Sequence, residues 1–124
     1  MKKIILSLIA ALACHSLLLA QGVAFMEAPL KKVLEKAKAS NRLVFIDCYT
    51  SWCIPCANMA RNIFPTKTCG DYFNPLFVCT KYDMEKGEGA QLQQTFKCIA
   101  YPTFIILNAE GKEIGRLTGA STTA

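Results

Sequence analysis

The chain has 124 residues, 52% of them hydrophobic and 19% charged, which leaves room for one globular domain and excludes a disordered chain. Its formal charge of +5 comes from lysines and arginines spread along the chain and not gathered into a stripe, so nothing points to nucleic-acid binding. Seven cysteines are many for this length, and their pairing becomes the central question.

In chain order, Lys2 and Lys3 precede the apolar run Ile4 to Ala13 and then Leu17 to Ala20, the layout of a secretory signal. The pattern predicts a signal peptide over residues 1–20, cut after Ala20, and a mature domain over 21–124 with a charge of +3. Two competing readings are a membrane anchor and a lipid on Cys14. Cys14, His15 and Ser16 interrupt a run that would need about 20 apolar residues to span, and Ala11 is an unusual start for a lipidation motif. Removal of the signal leaves Cys48, Cys53, Cys56, Cys69, Cys79 and Cys98, destined for an oxidising compartment.

After an apolar patch at Val23 to Phe25, Pro29 opens a segment with Leu30, Val33, Leu34 and Ala37 at helical spacing, ending near Ser40 and Asn41. Leu43 to Ile46 reads as a short strand buried on both faces, with Asp47 at its end. From Pro55 a second helix carries Met59, Ile63 and Phe64 inward until Pro65 stops it. Phe77 to Tyr82 is a strand, Gly87 and Gly89 mark a loop, and Leu92 and Phe96 share a short helix. Thr103 to Leu107 and Glu113 to Leu117 pair as a hairpin about the turn Asn108 to Gly111. The order β-α-β-α-β-α-β-β predicts an α/β fold whose central sheet is mixed and flanked by helices.

Trp52-Cys53-Ile54-Pro55-Cys56 follows the buried strand and opens a helix, the context in which Cys-x-x-Cys has redox meaning. Unpaired N–H groups and the positive end of the helix dipole favour a thiolate on Cys53. Pro55 fits the first turn and sets Cys56 one turn below, so the two sulfurs can close a disulfide. This placement predicts an exposed, ionisable Cys53 and a shielded, less acidic Cys56.

Asp47, Trp52, Cys53, Pro55 and Cys56, taken with Tyr101-Pro102-Thr103, resemble the thioredoxin family over about Val23 to Ala120. The run Asp47 to Cys53 is similar in particular to secreted bacterial thioredoxin-like proteins and to the C-terminal domain of the periplasmic transmembrane disulfide reductase. The resemblance implies a thioredoxin fold, a cis Pro102 facing the two cysteines, and a substrate laid beside it as an added strand. It also implies that Asp47 lies buried under Cys56, with a raised pKa, and accepts its proton; the alternative is a strand-end carboxylate bonded to a turn. Trp52 is expected as a lid and Tyr101 as a substrate contact, either being equally readable as a plain packing aromatic. Lys81 stays outside the expected site, since a register slip of one residue turns it to the other face. The family closes with a helix over one sheet face, whereas no amphipathic turn follows Gly119 here. The expectation is therefore a shortened chain, or an uncovered apolar face prone to association.

The function implied is thiol-disulfide oxidoreduction, with Cys53, Cys56 and Asp47 catalytic, Trp52, Tyr101 and Pro102 binding substrate, and no cofactor. Ile54 and Pro55 add no positive charge to the spacer, which favours reduction of disulfides in exported client proteins over an oxidase or isomerase role. A membrane-linked or soluble thiol donor would recharge the pair. A metal-binding module of the same fold is the rival of a different class, but there is no second Cys-x-x-Cys, and His15, the only histidine, lies in the signal. Ala57 after Cys56 excludes covalent haem attachment. Cys48 and Cys79 read as small apolar strand residues, Cys69 and Cys98 lie near element ends, and no pairing among them can be read from spacing.

Overall fold

The computed structural model describes residues 21–119, so the expected signal peptide lies outside the described residues. In order the elements are α1 (Leu30–Ser40), β1 (Leu43–Tyr49), α2 (Ile54–Asn58) running into a π-helical turn (Met59–Ile63), α3 (Lys67–Leu76), β2 (Phe77–Asp83), α4 (Glu88–Phe96), β3 (Thr103–Leu107) and β4 (Glu113–Thr118). The sheet order is β2-β1-β3-β4. β1 runs parallel to β2 and antiparallel to β3, and β3 and β4 form the expected hairpin.

β1 is longer than its apolar run. Asp47 pairs with Lys81 on one side and Phe104 on the other, and Cys48 pairs with Tyr82 and Thr103, so ladders on both edges carry the strand through the acid to Tyr49. Asp47 is therefore inside the strand and not at its end. Alternation then splits the strand between two cores. Val44, Ile46 and Cys48 join Val33, Ala37, Leu92, Ile105 and Leu107 under α1 and α4. Phe45 turns the other way, stacked on Phe104 at 5.6 Å and edge-on to Phe73 at 4.8 Å.

The patch at Val23 to Phe25 does not extend into a strand. Phe25 makes a single parallel bridge to Cys79, because Pro29 bends the chain into α1 four residues later. That bridge, with Met26 N–H donating to the Cys79 carbonyl, covers the outer edge of β2. Pro29 caps α1 with no side-chain acceptor of its own. The Glu88 carboxylate accepts the Leu30 N–H instead, at 3.1 and 3.2 Å. Asn41, in the left-handed region at φ 50°, ends the helix.

The second helix departs from simple 3.6-residue spacing. Phe64 N–H reaches the Met59 carbonyl, and the widened turn leaves Ile63 39% exposed while Phe64 is buried. The inward position expected of Ile63 is thus wrong. α3 is an element the sequence reading did not contain; Thr66 caps it by accepting the Cys69 N–H, and Pro75 sits in its last turn. Gly87 and Gly89 start α4 and are not both in a loop: Gly87 turns the chain at φ 55°, while a Cβ on Gly89 would lie 1.9 Å from the Asp83 carbonyl oxygen.

β4 is mostly exposed, with Ile114 and Leu117 among its outward side chains. An apolar hollow of about 400 Å³ lies between the aromatic core and this strand, lined by Phe45, Met59, Phe73, Phe104 and Leu117. Among the described residues no helix is long and apolar enough to cross a membrane.

Candidate active site

The strand β1 delivers the chain to a tight turn at Thr50 to Cys53, where Cys53 N–H donates to the Thr50 carbonyl and Cys53 becomes the N-cap of α2. Cys53 and Cys56 are joined as a disulfide, with 5.3 Å between their Cα atoms. Cys56 N–H points at the Cys53 sulfur across 3.2 Å, so the head of the helix offers a donor to any charge that sulfur acquires on reduction. Pro55 occupies the first turn, as its missing N–H allows. The expected contrast in exposure is absent in this oxidised form. Both cysteines are about 95% buried, since bond closure turns each sulfur toward the other, and what distinguishes them is the donor aimed at Cys53.

Asp47 is buried on the α2 side of the sheet. A hollow of about 210 Å³ brings it together with Thr50, Cys53, Cys56, Ala57 and Lys81. Its Oδ1 has no hydrogen-bond partner among the described residues. Burial pushes its carboxyl from the ordinary 3.8 up to about 6, with Lys81 pulling it down by less. A second, larger cleft of about 570 Å³ adjoins this hollow at Asp47, Ala60 and Lys81 and is lined on its other wall by Gly22 to Phe25.

Lys81 is a site residue that sequence reasoning set aside. Parallel register places it directly across from Asp47, and its ammonium lies 5.4 Å from the centre of the Phe25 ring. Only strand register decides its face, so no sequence signal could have found it.

The Tyr101–Pro102 peptide bond is cis and Pro102 is buried, directly before β3, whose first residue pairs with Cys48. Trp52 is not a packed lid. It is 66% exposed, its indole N–H donates to the Glu85 carboxylate at 2.7 Å, and its ring meets the edge of Tyr101 at 6.0 Å. Those two contacts place the indole between Glu85 and the residue that precedes the cis proline. Glu85 was also missed, its link to Trp52 crossing 33 positions. Ile54 and Ile99, 81% and 91% exposed, extend the apolar rim.

A mixed sheet with a disulfide at the head of a helix, a buried carboxylate beneath it and a cis-proline loop alongside define a thioredoxin fold with a redox-capable pair. The chain belongs to the thioredoxin-like family, whose family model matches residues 26–109. It is similar to the thiol:disulfide interchange protein DsbD of Pasteurella multocida, 32% identical over 74% of this chain, although the match spans only 16% of that longer protein. Thioredoxin H4 of Arabidopsis thaliana is 35% identical over 71% of this chain and 69% of its own. Among solved structures, a candidate disulphide-isomerase from Bacteroides thetaiotaomicron superposes with a TM-score of 0.74 at 40% identity, covering 84% of this chain and 86% of the other.

Proposed function

We propose that this domain is a thiol-disulfide oxidoreductase that reduces disulfides in exported client proteins through Cys53 and Cys56. The observation that carries the reading is the closed Cys53–Cys56 pair sharing one hollow with Asp47. In the reduced form, the Cys53 thiolate attacks one client sulfur and expels the other as a thiolate. Cys56 then passes its proton to Asp47 and attacks the Cys53 sulfur, releasing the second client thiolate. Two electrons move from the dithiol to the client, and the domain is left oxidised. With a pKa of about 6, Asp47 is mostly ionised at neutral pH and able to take that proton.

Tyr101, Pro102 and Trp52 form the rim against which a client segment would lie, in keeping with the exposed Ile54 and Ile99 on either side. A thiol donor, membrane-linked or soluble, would return the electrons, and the charged start and apolar run of residues 1–20 support export to the periplasm. The reducing direction rests on the spacer Ile54-Pro55, which holds no charge to favour the thiolate further. The likeness to a candidate disulphide-isomerase supports isomerisation as the second reading.

The test is a pair of variants. Cys56→Ser is expected to accumulate clients on Cys53 that reductant releases, and Cys53→Ser to capture none. Continued turnover of insulin disulfides by both variants would refute the mechanism. A redox titration then assigns direction: a potential near the thioredoxin value of roughly −270 mV supports the reductase, and one near roughly −120 mV an oxidant.

A further inference from the structure

Two of the four free cysteines among the described residues, 50 positions apart in sequence, come together inside the fold. Strand alternation puts Cys48 on the face of β1 opposite Asp47, away from the Cys53–Cys56 pair. Lys97 ends α4 in the left-handed region at φ 52° and swings the chain inward, so that Cys98 is 2% exposed while Ile99, one residue on, points to solvent. Gln93 holds this turn from both sides, its carbonyl taking the Cys98 N–H at 3.1 Å and its side-chain amide donating to the Cys98 carbonyl at 2.8 Å. Cys48 and Cys98 belong to the same buried cluster, both thiols are free, and each is the neighbour that most affects the other's ionisation. Cys79, also buried, belongs to the opposite core, and Cys69 lies on α3, so neither competes for this pairing.

We propose that Cys48 and Cys98 are a second redox site, a buried dithiol that closes to a disulfide by exchange with a small-molecule disulfide and ties the cis-proline loop to the central strand. Cys98 is the attacking sulfur. It lies next to the surface segment at Ile99, and its thiol is lowered to about 7, chiefly by the Cys48 thiol beside it and further by Arg116, with burial opposing. The Cys48 thiol is pushed up by that same contact and by burial, so it keeps its proton while Cys98 ionises. In the first exchange the Cys98 thiolate bonds to one sulfur of the oxidant and the other leaves as a thiol. Cys48 then loses its proton and attacks the Cys98 sulfur, and the second oxidant thiol departs. The protein gives up two electrons and two protons, both protons ending on the released thiols. Neither sulfur is open to solvent, so the first exchange waits on opening of residues 97–101.

The experiment uses the full chain, oxidised with glutathione disulfide at graded times, denatured, alkylated and mapped by mass spectrometry. Its readout does not depend on client reduction, so it stands or falls separately from the proposed activity. The expected result is a Cys48–Cys98 cross-linked peptide, forming after the Cys53–Cys56 bond is closed, with Cys69 and Cys79 alkylated. It should also form in the Cys53→Ser/Cys56→Ser double variant, which lacks any internal disulfide to exchange with, and be lost in Cys98→Ala. Full alkylation of both Cys48 and Cys98 in the wild-type chain, pairing of either with a different cysteine, or a glutathione adduct that never resolves would each overturn the proposal.

Discussion

Replacing Asp47 with Asn tests whether the buried carboxylate is held at a cost to the fold. A rise of its carboxyl from 3.8 to about 6 corresponds to about 3 kcal/mol, at about 1.4 kcal/mol for each unit of pKa. The folded carboxyl keeps its proton to a higher pH than the unfolded one. Folding therefore takes up a proton between about pH 4 and pH 6, and stability declines as the pH rises through that window. The Asn variant has no such decline. Its amide brings unmet hydrogen bonds of its own, which offset about 1 to 3 kcal/mol at every pH. The difference between the two proteins is free of that term when followed across pH. In urea melts of the oxidised proteins, the variant's stability relative to the parent should improve by about 3 kcal/mol from pH 3.5 to pH 7.5, most of it between pH 4 and pH 6. A difference that stays flat across this range would refute the assignment of a raised carboxyl to Asp47.

Lys81→Met removes the one charge that lowers the Asp47 carboxyl, so the pH midpoint of the Cys56 resolution step should move upward from near 6, read from the pH profile of mixed-disulfide decay. Gly89→Ala forces a Cβ onto the Asp83 carbonyl oxygen and should cost about 3 kcal/mol, a fall in Tm of at least about 10 °C by calorimetry. Thr66→Ala deprives the Cys69 N–H of its acceptor at the head of α3 and should cost about 1 kcal/mol in a urea melt. Intact mass of protein recovered from its native host should be smaller by residues 1–20; a full-length mass or a lipid on Cys14 would refute the cleavage.

The elements legible in the sequence are those whose signal is local. Leu43 to Ile46 and Thr103 to Leu107 are apolar runs, Asn108 to Gly111 has turn chemistry, and Pro29 and Pro55 mark helix starts. α3 is hidden because its stretch holds residues that ordinarily interrupt helices, Pro65, Gly70 and Pro75. Pro65 lies before the cap, Pro75 in the last turn, and Gly70 is a glycine because a Cβ there would meet the Gln21 carbonyl at 2.2 Å. At the site, Cys53, Cys56, Asp47 and Pro102 sit beside recognisable neighbours in the chain. Lys81, Glu85 and the Cys48–Cys98 contact exist only through strand register and long-range packing, which sequence spacing does not encode.

Glu88 lends its carboxylate to the first turn of α1 from 58 positions downstream. As the chain leaves the ribosome, the residues of α1 emerge early, yet the group that completes its first turn is made only after β1, α3 and β2 have appeared. The first helix therefore owes its start to a late arrival. A nascent chain that has not reached residue 88 holds an uncapped helix of 11 residues, marginal on its own in water. Docking of α4 then secures the opening of the fold and the segment beside the cis-proline loop in one step.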